Sequence, residues 1–184
     1  MLQDIAMYLL DIVNNSIRAE AKNIQISFTS FDSKNECNLK IVDDGCGMSE
    51  AQLEKVCNPF FTTRTTRKVG LGMSFLHQLA TQCNGELSID SKIGEGTSIN
   101  LRYQRNHLDA PPLGDVAESL ITLIQAKESI NYQFVFENDF GQFALNTEEV
   151  KQMLEDVNII EPSILLWLKE YIDEGLLQIR KEKL

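Results

Sequence analysis

Four short stretches carry residues whose types and spacing could do chemistry. In "LLDIVNNSIRA", Asp11 and Asn15 stand four apart, on one face of a helix. A carboxylate and an amide oxygen so placed can share a hard divalent cation, directly or through water. In "VDDGCGM", Asp43 ends an alternating run, "NLKIV", and Gly45 and Gly47 follow it. An acid there can accept hydrogen bonds from a planar donor such as an exocyclic amine. The glycines would remove the Cβ atoms that hold a flat ring off the backbone. A sharp turn with a solvated acid would use the same letters. In "NPFFTTRTTRKVGLGM", the cations Arg64, Arg67 and Lys68 lead into Gly70 and Gly72 at a helix start. Backbone N–H groups bared by glycine at a helix N-terminus form an anion site, and nearby cations reinforce it. Solvated loop charges are the other reading of those three cations. Last, "GEGT" makes a tight turn that would deliver the Thr97 hydroxyl to a sheet. A ring-edge acceptor, a metal face and a phosphate nest together describe a nucleotide–Mg2+ site.

These residues need elements to position them. Apolar positions Ile5, Leu9, Ile12, Val13 and Ile17 form one stripe of a helix over residues 2–20. "NIQISF" and "CNLKIVDD" alternate as half-buried strands do. Ser49 can cap a short helix through Val56. A Thr/Arg-rich loop from Asn58 to Val69 leads to a helix from Gly70 to Cys83, which "NG" stops. "ELSIDS" and "TSINLRYQ" read as two further strands joined by "KIGEG". The pattern predicts an α/β fold, with helices packed on one face of a mixed sheet.

Beyond Asn106 the texture changes. "DAPPLGD" is a break where two prolines forbid helix continuation. Residues 116–127 are helix-compatible, and "NYQFVFENDFGQFAL" suggests a hairpin turning near residues 139–141. "NTEE" resembles a capping box, and Pro162 suits the first turn of a final helix. That helix carries a stripe of Ile164, Leu165, Leu168, Tyr171 and Ile172, which serves either as core or as a partner groove or homodimer seam. The division expected is a domain over residues 1–106 and a small α+β extension over 107–184.

Composition narrows the function classes. Hydrophobic residues at 43% and charged residues at 24% are globular values. No apolar run reaches the roughly 18 residues of a membrane helix, and "MLQDIAMYLLD" lacks a secretory signal, so a soluble cytoplasmic protein without membrane contact is expected. The four cysteines form no CxxC pair, which leaves free thiols as the default over metal ligation. Residues 1–106 hold 11 Lys+Arg and 12 Asp+Glu, a net of −1, whereas residues 107–184 hold 6 and 15, a net of −9. Nucleic-acid binding by the acidic part is disfavoured, because phosphate contact needs cations. Either a solvated surface or a docking face for a basic protein partner fits such a tail.

The order Asp11-x-x-x-Asn15, Asp43-x-Gly45-x-Gly47, Gly70-x-Gly72 and Gly94-x-Gly96-Thr97 resembles the GHKL superfamily. That superfamily includes gyrase-type topoisomerases, heat-shock chaperones, histidine kinases and MutL-type repair ATPases. The run "NPFFTTR…GLGMSFLHQLATQCNGELSIDSKIGEGTSINL" is especially similar to a histidine-kinase ATP-binding domain. The resemblance covers about residues 2–104. It implies the Bergerat fold, a two-layer α/β sandwich whose lid closes over the phosphates of ATP or ADP. On that resemblance Asp43 accepts from the adenine amine with Thr97 helping through water, and Asn15 ligates Mg2+ beside Asp11. Gly45 and Gly47 make the adenine turn, Gly70 and Gly72 open the helix end to phosphate, and Arg18, Arg64 and Lys68 are phosphate-side cations.

The sequence also departs from the pattern. ATP-hydrolysing relatives have Glu where Asp11 stands, and Asp is one methylene shorter. Lys68 and Val69 occupy a place where kinases often have Gly-Thr. No phosphoacceptor helix is expected ahead of the ATP domain, and neither His77 nor His107 reads as an autophosphorylation site. The leading expectation is therefore a stand-alone ATP-binding regulator whose occupancy changes docking through residues 107–184. A partner-directed serine kinase resembling the anti-sigma factors, with Asp11 as base, comes second. A slow MutL-type ATPase comes third. "RNHLDAPPLGDVAESLITLI" is similar to a segment of small histidine-kinase-like proteins associated with iron-only hydrogenases in anaerobic bacteria. That likeness implies a redox-enzyme or transcription partner, with Cys46 as a candidate redox sensor.

Overall fold

A computed structural model of the 184-residue chain describes residues 4–57 and 71–179. Helix α1 (Ile5–Arg18) starts at Asp4, whose Oδ1 accepts from Met7 N at 2.9 Å. Of its predicted stripe, Ile5, Leu9, Ile12 and Val13 are buried, and Ile17 is partly buried against the core. Strands β1 (Asn23–Phe31) and β2 (Glu36–Asp43) pair antiparallel, with Ile24, Ile26 and Phe28 set against Asp43, Ile41 and Leu39. Helix α2 (Glu50–Cys57) opens with a capping box. Gln52 N donates to Ser49 Oγ (3.3 Å) and Ser49 N donates to Gln52 Oε1 (2.9 Å). The expected loop of residues 58–69, with Arg64, Arg67 and Lys68, lies outside the described residues, as does Gly70. Helix α3 (Leu71–Gln82) follows, then the antiparallel strands β3 (Glu86–Lys92) and β4 (Gly96–Gln104).

The chain after β4 builds onto the same layers. Residues 110–113 cross to the start of α1, where Ile5 N and Ala6 N donate to the carbonyls of Pro112 and Leu113, both at 3.0 Å. With the Asp4 cap, this satisfies three of the N–H groups that a helix start leaves without partners. Helix α4 (Val116–Ala126) then packs beside α1. Strand β5 (Asn131–Asn138) lies parallel to β1, in register from Asn23↔Asn131 to Ser30↔Asn138. The Phe28 and Phe136 rings stack across that pairing, 5.6 Å apart. The expected hairpin closes with β6 (Gly141–Asn146), and the six strands run β3-β4-β2-β1-β5-β6 in one sheet. Its parallel pair is what makes the sheet mixed.

Two short-range details differ from expectation. At α5 (Thr147–Leu154) the Asn146 Oδ1 accepts from Glu148 N (3.0 Å), and Glu149 bonds the Asn146 side-chain amide rather than its backbone N–H. Helix α6 (Pro162–Ile179) buries Leu165, Leu168 and Ile172, but Tyr171 sits on its flank, 43% exposed. The helices cover one face of the sheet. The other face carries polar residues such as Gln25, Lys40 and Asp90. Among the described residues, no helix is long and apolar enough to cross a membrane.

Candidate nucleotide site

One cavity of about 400 Å³ opens between the C-terminal half of α1, α2, the start of α3 and the ends of β3 and β4. Asn15, Arg18, Asp43, Gly47 and Thr97 all line it, so the structure gathers residues that lie up to 82 positions apart in sequence. Its floor is apolar, built from Ile12, Met73, Ile89 and Ile99. A flat ring would find aliphatic contact there and polar atoms only at the edges.

Asp43 is the buried polar centre of the site, 7% exposed. Its Oδ2 accepts from the Ser16 hydroxyl at 2.6 Å, and its Oδ1 accepts from Gly45 N at 3.0 Å. Strand β2 ends at Asp43, and the register places Thr97 of β4 directly opposite. The Thr97 Oγ1 lies 2.9 Å from Ser91 Oγ, and that hydroxyl donates to Gly96 O while accepting from Met48 N. The Ser91 proton is thus committed to Gly96 O, and Thr97 is the donor between the two hydroxyls. Its lone pairs remain for a further donor.

The second acid of the opening motif has another task. Asp44 accepts from Lys22 N (2.7 Å), Asn23 N (2.9 Å) and Asn23 Nδ2 (2.7 Å), which fastens the start of β1 to the end of β2. Burial pushes its carboxyl up, but the Asn23 and Lys22 donors outweigh that and hold it below the usual aspartate range. The glycines also have a reason that the sequence did not expose. A Cβ on Gly45 would lie 2.8 Å from both Ala19 Cβ and Ala19 O, and one on Gly47 would lie 1.9 Å from Lys92 O. Both positions are demanded by close protein backbone, and Gly47 in addition has φ +65°. Cys46 N donates to Ala19 O (2.8 Å) and Gly94 N donates to Cys46 O (2.9 Å), so this turn is clamped from both sides.

Asp11 and Asn15 part company in detail. Asn15 faces the cavity, where its Oδ1 accepts from Arg18 Nη1 at 3.3 Å. Asp11 turns to the first turn of α3, where a Cβ on Gly72 would lie 1.8 Å from its Oδ2. Among the described residues no group of three or more His, Cys, Asp or Glu could hold a metal ion. Of the two expected cation ligands, the structure thus brings Asn15 into the cavity and leaves Asp11 against α3, outside the cavity lining. Sequence reasoning missed Ser16, Met73 and Ile89. Ile89 was legible as an inward position of an alternating strand, whereas Ser16 enters the site only through the crossing of α1 over the end of β2.

Residues 3–107 match the family described as histidine kinase-, DNA gyrase B-, and HSP90-like ATPase. The sensor histidine kinase ZraS of Escherichia coli (strain K12) is 28% identical over 110 residues, which span 60% of this chain and 23% of ZraS. The histidine protein kinase DivJ of Caulobacter vibrioides is 26% identical over 98 residues, spanning 51% of this chain and 16% of DivJ. This chain thus corresponds to less than a quarter of either relative. Among solved structures, the Aquifex aeolicus MutL ATPase domain complexed with ADP superposes with a TM-score of 0.54 at 13% identity. That superposition covers 84% of this chain and 70% of the other, so the shared fold extends into residues beyond β4. The chain therefore belongs to the histidine kinase-, DNA gyrase B- and HSP90-like ATPase family.

Proposed function

We propose that the chain is an ATP- and Mg2+-binding regulatory protein whose nucleotide occupancy controls docking of a protein partner through residues 107–184. The observation that carries this reading is the buried Asp43 carboxylate, oriented by Ser16 and Gly45 at the edge of an apolar slot. Such a carboxylate suits the adenine amine, while Ile12, Met73 and Ile89 suit the ring faces.

The metal follows from electrostatics. Asp11 sits against the first turn of α3, where the helix N-terminus favours an anion. A phosphate brought to the same place would meet that carboxylate, and a divalent cation between them removes the repulsion. Asn15 would join such a cation on releasing Arg18, which would then be available to phosphate. The resemblance implies closure of the α2–α3 connection over the phosphates.

Coupling to docking would run through α1. Its C-terminal half lines the cavity, and its N-terminus is bonded to Pro112 and Leu113 of the segment that leads into α4. A shift of α1 on nucleotide binding would be passed to that segment. Titration calorimetry with ADP and ATP, each with and without Mg2+, tests the reading alongside turnover of labelled ATP. Tight Mg2+-dependent binding with background turnover supports a regulator. Labelled phosphate appearing on a partner serine would replace it with a kinase, and unaided hydrolysis would replace it with an ATPase.

A further inference from the structure

The two edges of the sheet differ in protection. Edge strand β3, "ELSIDSK", exposes Glu86, Asp90 and Lys92, and such charges are how proteins keep an edge from recruiting another strand. Edge strand β6, "GQFALN", has neither a charge nor a proline, and its exposed positions are Gln142 and Ala144. Among the described residues no strand pairs with β6 except β5. Its outer side presents a row of N–H and C=O groups.

An aromatic shelf lies beside that edge. Helix α6 approaches β6 so closely that a Cβ on Gly175 would lie 2.2 Å from the Phe143 ring. The Tyr171 ring is 5.5 Å from Phe143, and Trp167 stacks on Tyr171 at 5.6 Å and 18°. Phe143 is core, but Tyr171 is 43% and Trp167 47% exposed. The aromatic chain therefore runs from the interior out to solvent next to the open strand.

Charge selects the occupant. Residues 107–184 hold 15 acidic residues against 6 Lys and Arg, a net of −9. Lys169 is paired with Asp115, Glu118 and Asp173, and Lys151 is bonded to Ile130 O and Asn131 Oδ1. Near the edge stand Glu137, opposite Gln142 in register, and Glu148 and Glu149 just past β6. A second copy would bring the same acids to the seam. A basic segment would not.

We propose that the β6 edge and the Trp167–Tyr171 shelf bind an extended, basic segment of a partner protein by strand addition. Apolar or aromatic side chains at every second position lie on the shelf, and Lys or Arg at the positions between face the acids. This names the kind of partner that the proposed function calls for, and it rests on that reading only for its dependence on nucleotide. The experiment uses the full chain and a labelled synthetic peptide of about eight residues that alternates Tyr or Val with Lys. Binding is read by anisotropy and by the emission of Trp167, the chain's single tryptophan. The same peptide N-methylated at alternate backbone nitrogens, and one with Glu for Lys, are the controls.

The parent peptide should bind saturably and shift Trp167 emission, and both controls should bind roughly tenfold more weakly or worse. Trp167→Ala, checked for folding by circular dichroism, should weaken the parent peptide to a similar degree. Equal binding of the N-methylated or Glu peptide overturns the inference. So does an unaffected Trp167→Ala variant, absence of saturable binding, or self-association that excludes the peptide. Adding ADP and Mg2+ separates the two readings: a changed peptide affinity supports both. An unchanged affinity leaves strand addition standing and counts against nucleotide-controlled docking alone.

Discussion

Asp43→Asn is the most informative single change at the site. Both carboxylate oxygens already accept one bond each, from Ser16 Oγ at 2.6 Å and from Gly45 N at 3.0 Å. Each oxygen has about two acceptor sites, so each keeps one for a ligand donor. In Asn, one oxygen becomes an NH2 group. Turned toward Gly45, that group would face an N–H and neither could accept. It must instead face Ser16, whose hydroxyl then has to accept and lose its own acceptor. At 7% exposure, water compensates poorly for the change. A ligand amine is left with one neutral acceptor in place of a carboxylate. The loss of the charge-assisted bond is about 1–3 kcal/mol, which corresponds to roughly 5- to 150-fold in Kd. Calorimetry with ADP and Mg2+ reads this, and thermal unfolding checks that the variant folds. Inorganic pyrophosphate, which has no amine, should bind the variant as it binds the parent. An ADP affinity unchanged within roughly twofold in a folded variant would refute the reasoning, as would an equal loss for pyrophosphate.

Three further predictions follow from neighbouring contacts. Ser16→Ala leaves Asp43 Oδ2 without its donor, so ADP binding should weaken by about 1–3 kcal/mol, and calorimetry that finds no change would remove Ser16 from the site. Cys46 is exposed and lines the cavity, whereas burial pushes the Cys37 and Cys83 thiols up. ADP with Mg2+ should therefore slow iodoacetamide labelling at Cys46, localised by peptide mass, and leave Cys37 and Cys83 unlabelled in both states. Asp44 titrates below its ordinary value of 3.8, because its folded-state donors favour the charged form. Its contribution is fully present above that value and lost as pH falls through the lower folded-state pKa. Denaturant unfolding at stepped pH should show this acid loss in the parent chain and less of it in Asp44→Asn.

The sequence was most legible where period and spacing act locally. The α1 stripe, the alternation of β1 and β2 and the Ser49–Gln52 cap are each set by residues within one turn or one strand. The Asp43–Thr97 pairing was legible only through motif order, because the register that opposes them is a non-local fact. The Ser16–Asp43 bond was not legible, since it needs the crossing of α1 over the end of β2. The glycine turn was half read. Its flexibility was visible, but the carbonyl of Lys92 and the methyl of Ala19 that require it lie 45 residues from Gly47 and 26 from Gly45. Joining β5 to β1 was likewise hidden, because parallel pairing leaves no turn signal and rests here on Phe28 meeting Phe136.

The most direct test is a calorimetric titration of the full chain with ADP, run with Mg2+, with EDTA, and with Mg2+ on Asp43→Asn. Saturable one-to-one binding is expected in the first, clearly weaker binding in the second, and in the third a loss matched to one charged acceptor. No heat of binding with Mg2+ present, or affinity indifferent to both Mg2+ and Asp43, would contradict it.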